Sequence, residues 1–549
     1  MTVTSAPHTP EKSEARPVAG VQPPRLLWIG VLVILVGWAV TYVSWPFSTD
    51  QGMLSWVGET IRRGGTPYVD TWETRGPFPY FLYALLAAAT GPNEWALRVL
   101  DLLFVAMGAA SIWRVVRSVD QTFAATISVT IYLLWYAGLN HHNAAQSDGW
   151  NSAMQAFAVA LLLVRGSQPS SIAAAGAGVI FGLCILSKPT YGVMLAIPLL
   201  QGIGIARRQG ALAVVKYWGA GAAGLLVAIA ACLGWFAQRG ALDELIDVHL
   251  RWTLAHYPAL SAGWLNRVHY VVQYLTGGPL TAALPFALVG IASVWRRRPD
   301  AAIVFATWLI CALITVMVQG EFFPYHWHPV FPALALIAGI GVHASWVYWR
   351  ERSDSALGRL FPAAAAILLI ALTIEPATHV YRWVSVMAGV TSREAYERVE
   401  FGPYGKRTGV FSEVTRSVRE LSDEGDRILV WGNPAGIYYL ANRPAASRFG
   451  YPAALLGGED DDFARRYRAE FLTTIRSSAP RLIVALDDAV CQRAPSIEAR
   501  KRIGMAEGLM DCLTAFPALR VFTDSAYTLD RRFGNLVLWR LTAAHGSVR

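Results

Sequence analysis

A carboxylate and a guanidinium lie close together in the sequence, just after the first apolar run of the chain. Asp50 follows an apolar run over residues 26–47, which is long enough to cross a bilayer because a membrane-spanning helix takes ~20 residues. Arg75 lies a short loop further on, directly before Gly76 and Pro77. Such a carboxylate can act as a general base or bind a metal ion, and such a guanidinium can bind a phosphate in a bidentate manner. The pair predicts chemistry at the membrane surface, with a helix-start acid and a headgroup-contacting arginine as the simpler alternatives.

A lysine and a second acid lie in similar positions further along the chain. Lys188 stands between two apolar runs and is one of only five lysines in 549 residues. A compact ammonium at that place suits phosphate binding, and a lysine that snorkels to the membrane surface is the alternative. Asp148 follows His141 and His142 in a polar loop, where it can hold a sugar hydroxyl or share a divalent metal ion with Asp50. No HExxH-type spacing supports the metal, so it stays open, and plain loop polarity explains the two histidines.

Aromatic and histidine side chains gather before another apolar run. Tyr325, His326 and His328 belong to the segment over residues 321–328. Tyrosine and histidine at the mouth of a span can hydrogen-bond a phosphate or a sugar, and an interfacial aromatic belt is the alternative. A long loop over residues 238–266 carries further acids and histidines, which indicate contact with an acceptor.

The composition is typical of an integral membrane protein. Hydrophobic residues make up 54% of the chain and charged residues only 15%, whereas a soluble domain carries about 25% charged residues. Positive-inside topology explains the net charge of +9 better than nucleic-acid binding, for which the chain has no motif. We expect an amphipathic helix over residues 50–63 that lies flat on the membrane, and an interfacial or re-entrant helix over 78–90. Eleven apolar runs predict membrane spans, approximately 26–46, 96–116, 121–139, 151–165, 171–187, 189–206, 213–236, 267–293, 301–318, 327–349 and 358–377.

Basic residues fall at alternate connections between these runs, so we place those connections in the cytoplasm together with the N-terminus. The opposite, outer face then collects Asp50, Asp148, Lys188 and the segment 321–328. An odd number of spans puts the C-terminal region on that outer face as well. The expected location is the inner (cytoplasmic) membrane.

The chain divides into three predicted parts. Residues 1–24 form a disordered cytoplasmic tail, residues 25–390 a transmembrane catalytic domain, and residues 391–549 an extracytoplasmic α/β domain. Cys491 and Cys512 can pair if that last domain lies outside the cytoplasm. Its expected elements are strands over 426–432, 481–488, 520–524 and 534–541, with helices over 433–443 and near 462–478.

Taken together, these segments resemble the GT-C superfamily of membrane glycosyltransferases. Within it, they are similar to the branch that holds protein O-mannosyltransferases, lipid A aminoarabinose transferases and related family-39-like bacterial enzymes. The resemblance covers roughly residues 26–350. The matching residues are Asp50, the stretch 65–80, the segment 93–98, the turn 186–190 and the segment 325–329.

The resemblance implies an inverting transfer of a sugar from a polyprenyl-phosphate donor on the outer face of the membrane. It implies that Asp50 is the catalytic base and that Arg75 and Lys188 bind the donor phosphate. Gln51 stands where many relatives carry a second acid, and Asp148 where the second outer loop often has Glu. These differences leave open the metal and the acceptor, which can be a glycan, a lipid or a protein.

Two other functions compete with this one, a flippase or transporter of lipid-linked sugars and a non-catalytic membrane scaffold. A transporter would place charges at the bilayer midplane and interrupt spans in corresponding halves, whereas here the charges collect at one face. We therefore expect a polyprenyl-phosphate-dependent glycosyltransferase in contact with membrane lipids. Its expected fold is an α-helical polytopic GT-C membrane protein with about eleven spans, interfacial helices in the first outer loop and a small C-terminal α/β domain.

Overall fold

A computed structural model describes residues 25–163, 170–260, 263–277, 280–352, 356–401, 405–432, 434–456, 458, 460–488 and 512–542. The predicted tail over residues 1–24 lies outside the described residues. Cys491 also lies outside them, whereas Cys512 is disulfide-bonded.

Long apolar helices dominate the chain up to residue 387. Within the described ranges, seven helices are long and apolar enough to cross a membrane, or eight if one bent pair is a single span, and three shorter apolar helices add to them. The chain is therefore a multi-pass α-helical membrane protein, and each predicted span overlaps a helix. These helices are α1 (Arg25–Val43), α4 (Trp95–Val119), α5 (Thr122–Ala137), α6 (Ser147–Leu163), α7 (Ser171–Ser187), α8 (Ala196–Gln209, after a 3-10 turn Pro189–Leu195), α9 (Ala211–Gln238), α12 (Trp264–Gly277), α13 (Leu284–Arg297), α14 (Pro299–Gln319), α15 (Val330–Glu351) and α16 (Ala356–Met387).

The run over 267–293, predicted as one span, is divided between two helices. The helices α12 and α13 differ in direction by 72°. The sequence carries Gly-Gly-Pro at 277–279, and proline removes a helical hydrogen bond and blocks the preceding turn.

The first loop, residues 44–94, contains two helices, α2 (Thr49–Arg62) and α3 (Phe78–Thr90). The predicted amphipathic helix is present as α2, and the protein encloses its middle on all sides. Every residue from Gln51 to Glu59 is buried. Gly58 packs on the backbone of Tyr83 in α3, and Gly52 packs on Gly436 from the C-terminal part of the chain. Two glycines thus allow α2 to be enclosed from both sides.

The C-terminal part is a small α/β unit with a four-stranded sheet in the order β1-β2-β4-β3. The pair β1·β2 is parallel, while β2·β4 and β3·β4 are antiparallel. The strand predicted over 520–524 is wrong, because these residues belong to a helix with a buried apolar face and the edge strand follows it. The elements are α17 (Arg393–Glu400), α18 (Gly405–Leu421), β1 (Ile428–Val430), α19 (Gly436–Ala441), α20 (Asp462–Ser478), β2 (Leu482–Leu486), α21 (Pro517–Ala526), β3 (Tyr527–Phe533) and β4 (Leu536–Leu541).

The C-terminal sheet and the first loop share one buried hydrophobic cluster. Trp56, Tyr68 and Trp72 of the first loop belong to it together with the strands β1 and β2. The chain between α9 and α12 forms α10 (Leu242–Leu245), a π-helix (Ile246–Trp252) and α11 (Thr253–Leu260). The first two of these elements contribute Leu245, Val248 and Trp252 to the same cluster. The first loop is therefore held between the membrane helices and the C-terminal sheet.

Candidate active site

Asp50 lies in the first turn of α2, where the chain leaves α1. Ser48 is the N-cap residue, and its amide donates to the side-chain oxygen of Gln51 at 2.9 Å. The side-chain nitrogen of Gln51 donates to the carbonyl of Ala144 at 2.7 Å. The fully buried Gln51 thus fixes the start of α2 on the loop before α6. Gln146 reaches Asp50 Oδ2 from the same loop at 3.4 Å.

Arg75 bridges two carboxylates of the first loop. Its Nη2 lies 2.7 Å from Asp50 Oδ1, and its Nη1 lies 3.0 Å from Glu73 Oε1. The side chains of Asp50 and Arg75 are 24% and 25% exposed, whereas that of Glu73 is only 1% exposed. Burial raises the pKa of Glu73 above its ordinary value, although the charge of Arg75 opposes this shift. Glu73 therefore holds the guanidinium from the inside, and the accessible side of the pair is formed by Asp50 and Arg75.

Two tyrosines hold the backbone at Arg75. The hydroxyls of Tyr68 and Tyr80 donate to the Arg75 carbonyl at 2.7 and 2.9 Å. His249 from the π-helix lies 2.7 Å from the carbonyl of Thr74. The carbonyl groups of Thr74 and Arg75 are thus already hydrogen-bonded. These bonds restrict the position of the loop and of the guanidinium that it carries.

A second acid–cation pair lies at the ends of α6 and α7. Lys188 Nζ lies 2.8 Å from Asp148 Oδ2 and 2.7 Å from Gln319 Oε1. The hydroxyl of Tyr191 donates to Asp148 Oδ1 at 2.7 Å. Asp148 is not in a polar loop as predicted but in the first turn of α6, where its side chain is 1% exposed against 23% for Lys188. As in the pair of Glu73 and Arg75, the acid is buried and the cation is accessible.

The histidines before α15 complete this end of the bundle. His326 and His328 are buried in and just after a 3-10 turn, Pro324–Trp327. His328 Nε2 lies 2.8 Å from the carbonyl of Asn143, and the rings of Tyr325 and His326 meet edge to face at 4.5 Å. Burial and then the charge of Lys188 lower the pKa of His326 to about 3, and burial lowers that of His328 to about 4. Both imidazoles are therefore neutral near pH 7.

The two acid–cation pairs are neighbours. The amide of Gly76 donates to the carbonyl of Ser187 at 3.2 Å, so the residues after Arg75 and before Lys188 are hydrogen-bonded to each other. His326 lies close enough to Lys188 and Arg75 for both charges to act on its pKa. The structure thus brings together the predicted site residues Asp50, Arg75, Asp148, Lys188, Tyr325, His326 and His328.

Other polar residues of the sequence lie outside this group. The rings of His141 and His142 are 4.0 Å apart, and His141 packs on Phe401 after α17. In the long loop, Glu244 lies 2.9 Å from Arg448 Nη1 and thus binds the C-terminal unit.

A buried pair behind the site was missed by sequence reasoning. Asp101 in α4 accepts hydrogen bonds from Tyr42, Tyr136 and Trp150 at 2.6, 2.7 and 2.8 Å. Arg98, one turn earlier, donates to Gln51 Oε1 at 2.7 Å. An ionisable residue inside a predicted span was the available signal, because such groups are costly in a membrane. The pair fixes α1, α4 and the start of α2 relative to each other.

The residues present do not form a recognisable metal site. Within the described part of the chain, no group of three or more His, Cys, Asp and Glu side chains is placed to hold a metal ion. Asp50 and Asp148 are each bonded to a cationic side chain rather than to each other. This donor set fits an anionic ligand at the two cations.

Comparisons with known proteins agree with this architecture. Residues 74–235 match the family model described as dolichyl-phosphate-mannose-protein mannosyltransferase. ArnT from Cupriavidus metallidurans bound to undecaprenyl phosphate is 15% identical with a TM-score of 0.60, covering 95% of this chain and 98% of that chain. Its apo structure, also 15% identical and with the same coverage, gives a TM-score of 0.58. The archaeal oligosaccharyltransferase AglB from Archaeoglobus fulgidus is 13% identical with a TM-score of 0.44, covering 95% of this chain and 75% of that chain.

No curated protein sequence matches the chain significantly. The structural comparisons show the fold, and with the family match they confirm the expected resemblance to the GT-C superfamily. The chain has the fold of a GT-C membrane glycosyltransferase.

Proposed function

We propose that this protein is an inverting glycosyltransferase that moves a sugar from a polyprenyl-phosphate donor to an acceptor hydroxyl on the outer face of the cytoplasmic membrane. The 2.7 Å pair between Asp50 and Arg75 carries this proposal. In this pair, a partly exposed carboxylate lies directly beside a partly exposed cation, and these are the two groups that the proposed reaction needs as base and as phosphate ligand. The ArnT structure solved with undecaprenyl phosphate supports a lipid-phosphate donor for this fold.

The donor phosphate binds at the accessible cations. Arg75 has two carboxylate partners. When a phosphate oxygen replaces Asp50 at Nη2, the ion pair between Arg75 and Glu73 remains. Lys188 likewise remains paired with the buried Asp148 when it binds the phosphate. Tyr325 lies near Arg75, and the neutral His326 lies near both cations, so both side chains can donate hydrogen bonds to the phosphate. A guanidinium and an ammonium stabilise the negative charge that grows on the leaving phosphate.

Asp50 is the base in this reaction. Its carboxylate takes the proton of the acceptor hydroxyl while the acceptor oxygen forms a bond to the anomeric carbon. The bond between that carbon and the phosphate oxygen breaks on the opposite face, and the electron pair leaves with the phosphate. After the transfer, Arg75 is bound to the released polyprenyl phosphate. Asp50 then gives its proton to solvent and is a carboxylate again.

The test uses membranes that contain the full-length protein and a radiolabelled polyprenyl-phosphate sugar. We expect sugar transfer by the wild type and a loss of at least 100-fold in Asp50→Asn at unchanged protein level. Asp243→Asn is the matched control, because Asp243 is an exposed acid of the long loop. Transfer by Asp50→Asn at the wild-type rate would rule out Asp50 as the base. Movement of label across the membrane without transfer would instead identify a transporter.

A further inference from the structure

A segment of the C-terminal unit, Arg448–Gly450 with Tyr451, lies on the loop that carries Arg75. The backbone amide of Trp72 donates to the carbonyl of Arg448 at 2.6 Å. In return, Arg448 Nη1 donates to the carbonyl of Tyr68 at 2.7 Å. Because the Tyr68 hydroxyl donates to the carbonyl of Arg75, one tyrosine links the two chain segments.

This close approach requires a glycine. A Cβ atom at Gly450 would lie 2.1 Å from the ring of Trp56 in α2, so any larger residue would push the segment away. On the other side, the rings of Trp72 and Tyr451 are 5.5 Å apart. The contacts of Gly450 with Trp56 and of Tyr451 with Trp72 thus hold this segment against the first loop.

The Tyr451 hydroxyl points toward the charged group of the site. It interacts with the side chain of Thr74 and lies close enough to Glu73, Arg75 and Asp50 for their charges to act on it. Tyr325 and Tyr451 both belong to the electrostatic surroundings of Arg75, although one precedes a membrane helix and the other belongs to the C-terminal unit. Burial raises the pKa of Tyr451 well above its ordinary value, so the phenol stays neutral and can donate a hydrogen bond.

We propose that Tyr451 is a phosphate-binding residue that the C-terminal unit contributes to the active site. Its hydroxyl donates to the same polyprenyl-phosphate headgroup that Arg75 binds. The C-terminal unit is then part of the catalytic centre. This inference rests on the proposed function, because it assumes that a phosphate occupies Arg75.

The test is equilibrium binding of radiolabelled undecaprenyl phosphate to the purified full-length protein in detergent. Tyr451→Phe removes only the hydroxyl, and we expect binding about tenfold weaker, as for the loss of one hydrogen bond to a charged group. Tyr527→Phe is the matched control, because it removes a buried hydroxyl from the same unit, where it donates to the carbonyl of Pro480 at 2.8 Å. We expect it to bind like the wild type.

Arg75→Ala separates this inference from the proposed function. If Arg75→Ala weakens binding and Tyr451→Phe does not, the role of Tyr451 is overturned while the phosphate site at Arg75 stands. If Arg75→Ala binds like the wild type, the phosphate site itself is wrong and both proposals fail. If Tyr451→Phe has a lower unfolding temperature than Tyr527→Phe, Tyr451→His and Tyr451→Leu replace it. The histidine retains a donor, so equal binding by these two variants would overturn the proposal.

Discussion

The amide of Gly76 donates to the carbonyl of Ser187 at 3.2 Å, and this bond joins the loop of Arg75 to the turn of Lys188. The contact is so close that a Cβ atom at Gly76 would lie 2.1 Å from the carbonyl oxygen of Leu186. Both cations of the candidate site are therefore placed by one backbone contact rather than by two independent loops.

Gly76→Ala should separate the two cations. The atoms in its way are backbone atoms, which cannot move aside like the end of a flexible side chain. We expect a loss of about 1–3 kcal/mol of unfolding free energy, as for overpacking of a core, and transfer reduced at least tenfold. Chemical unfolding in detergent and the transfer assay measure both effects. Gly192→Ala, close to Lys188 but with open space around the new methyl group, should behave like the wild type.

Removing Lys188 should destabilise the protein through Asp148. Lys188→Met leaves a buried carboxylate without its cation, and breaking a buried pair in this way costs about 3–5 kcal/mol. The double variant Lys188→Met/Asp148→Asn should recover a large part of that stability, because no uncompensated charge remains. Unfolding measurements on the two single variants and the double variant give the coupling. Stability losses that simply add would contradict the pairing.

The double variant should nevertheless stay inactive in sugar transfer. In the proposed reaction, Lys188 binds the donor phosphate, and methionine has no charge to replace it. Recovery of activity together with stability would reduce Lys188 to a structural role.

Arg75→Lys should lower transfer more than it lowers stability. A lysine can retain one carboxylate partner but cannot bond Asp50 and Glu73 together in the planar arrangement of a guanidinium. We expect kcat/KM to fall roughly 10- to 100-fold, the loss of one to two charge-assisted hydrogen bonds. Steady-state kinetics with the polyprenyl-phosphate sugar measure it. Arg239→Lys, at the exposed end of α9, is the control, and an equal loss there would contradict the assignment.

His326 should make the stability depend on pH below neutrality. Its pKa is about 3 in the folded chain against about 6.5 in an unfolded one. Between these values the unfolded state binds a proton that the folded state does not, so unfolding free energy falls as the pH falls, by about 1.4 kcal/mol per pH unit for this residue. His326→Gln should remove that part of the slope. Unfolding series at pH 7, 6 and 5 for both proteins check it, and identical slopes would contradict the burial of a neutral His326.

The membrane helices and part of the site could be predicted from the sequence because burial in lipid restricts what the sequence can contain. Asp50, Arg75 and Lys188 stand out as charges at the ends of apolar runs, and the structure places them together. Asp148 was identified as a polar residue, but its burial in α6 was not, because the carboxylate is stabilised by Lys188 and Tyr191 from a distant part of the chain.

Other features depend on contacts that no local pattern reports. Tyr451 lies in a stretch without a motif, and tertiary contacts such as the packing of Gly450 on Trp56 bring it to the first loop. The strand predicted over 520–524 failed because a run such as Arg-Val-Phe-Thr-Asp fits either a half-buried strand or one face of a short helix. Asp101 was visible as an acid within a predicted span, and the three aromatic donors that hold it were not.

The hydrophobic cluster shared by the first loop and the C-terminal sheet has a consequence for biosynthesis. The ribosome makes the loop of Asp50 and Arg75 early, while Tyr438 and Tyr451, which pack on Trp56 and Trp72, are made much later. Until then, these two aromatic side chains lack part of their contacts, and such transiently exposed surfaces are prone to aggregation. A nascent protein that has its membrane helices but not yet its C-terminal unit therefore still lacks the contacts that hold the loop of Arg75 from that side.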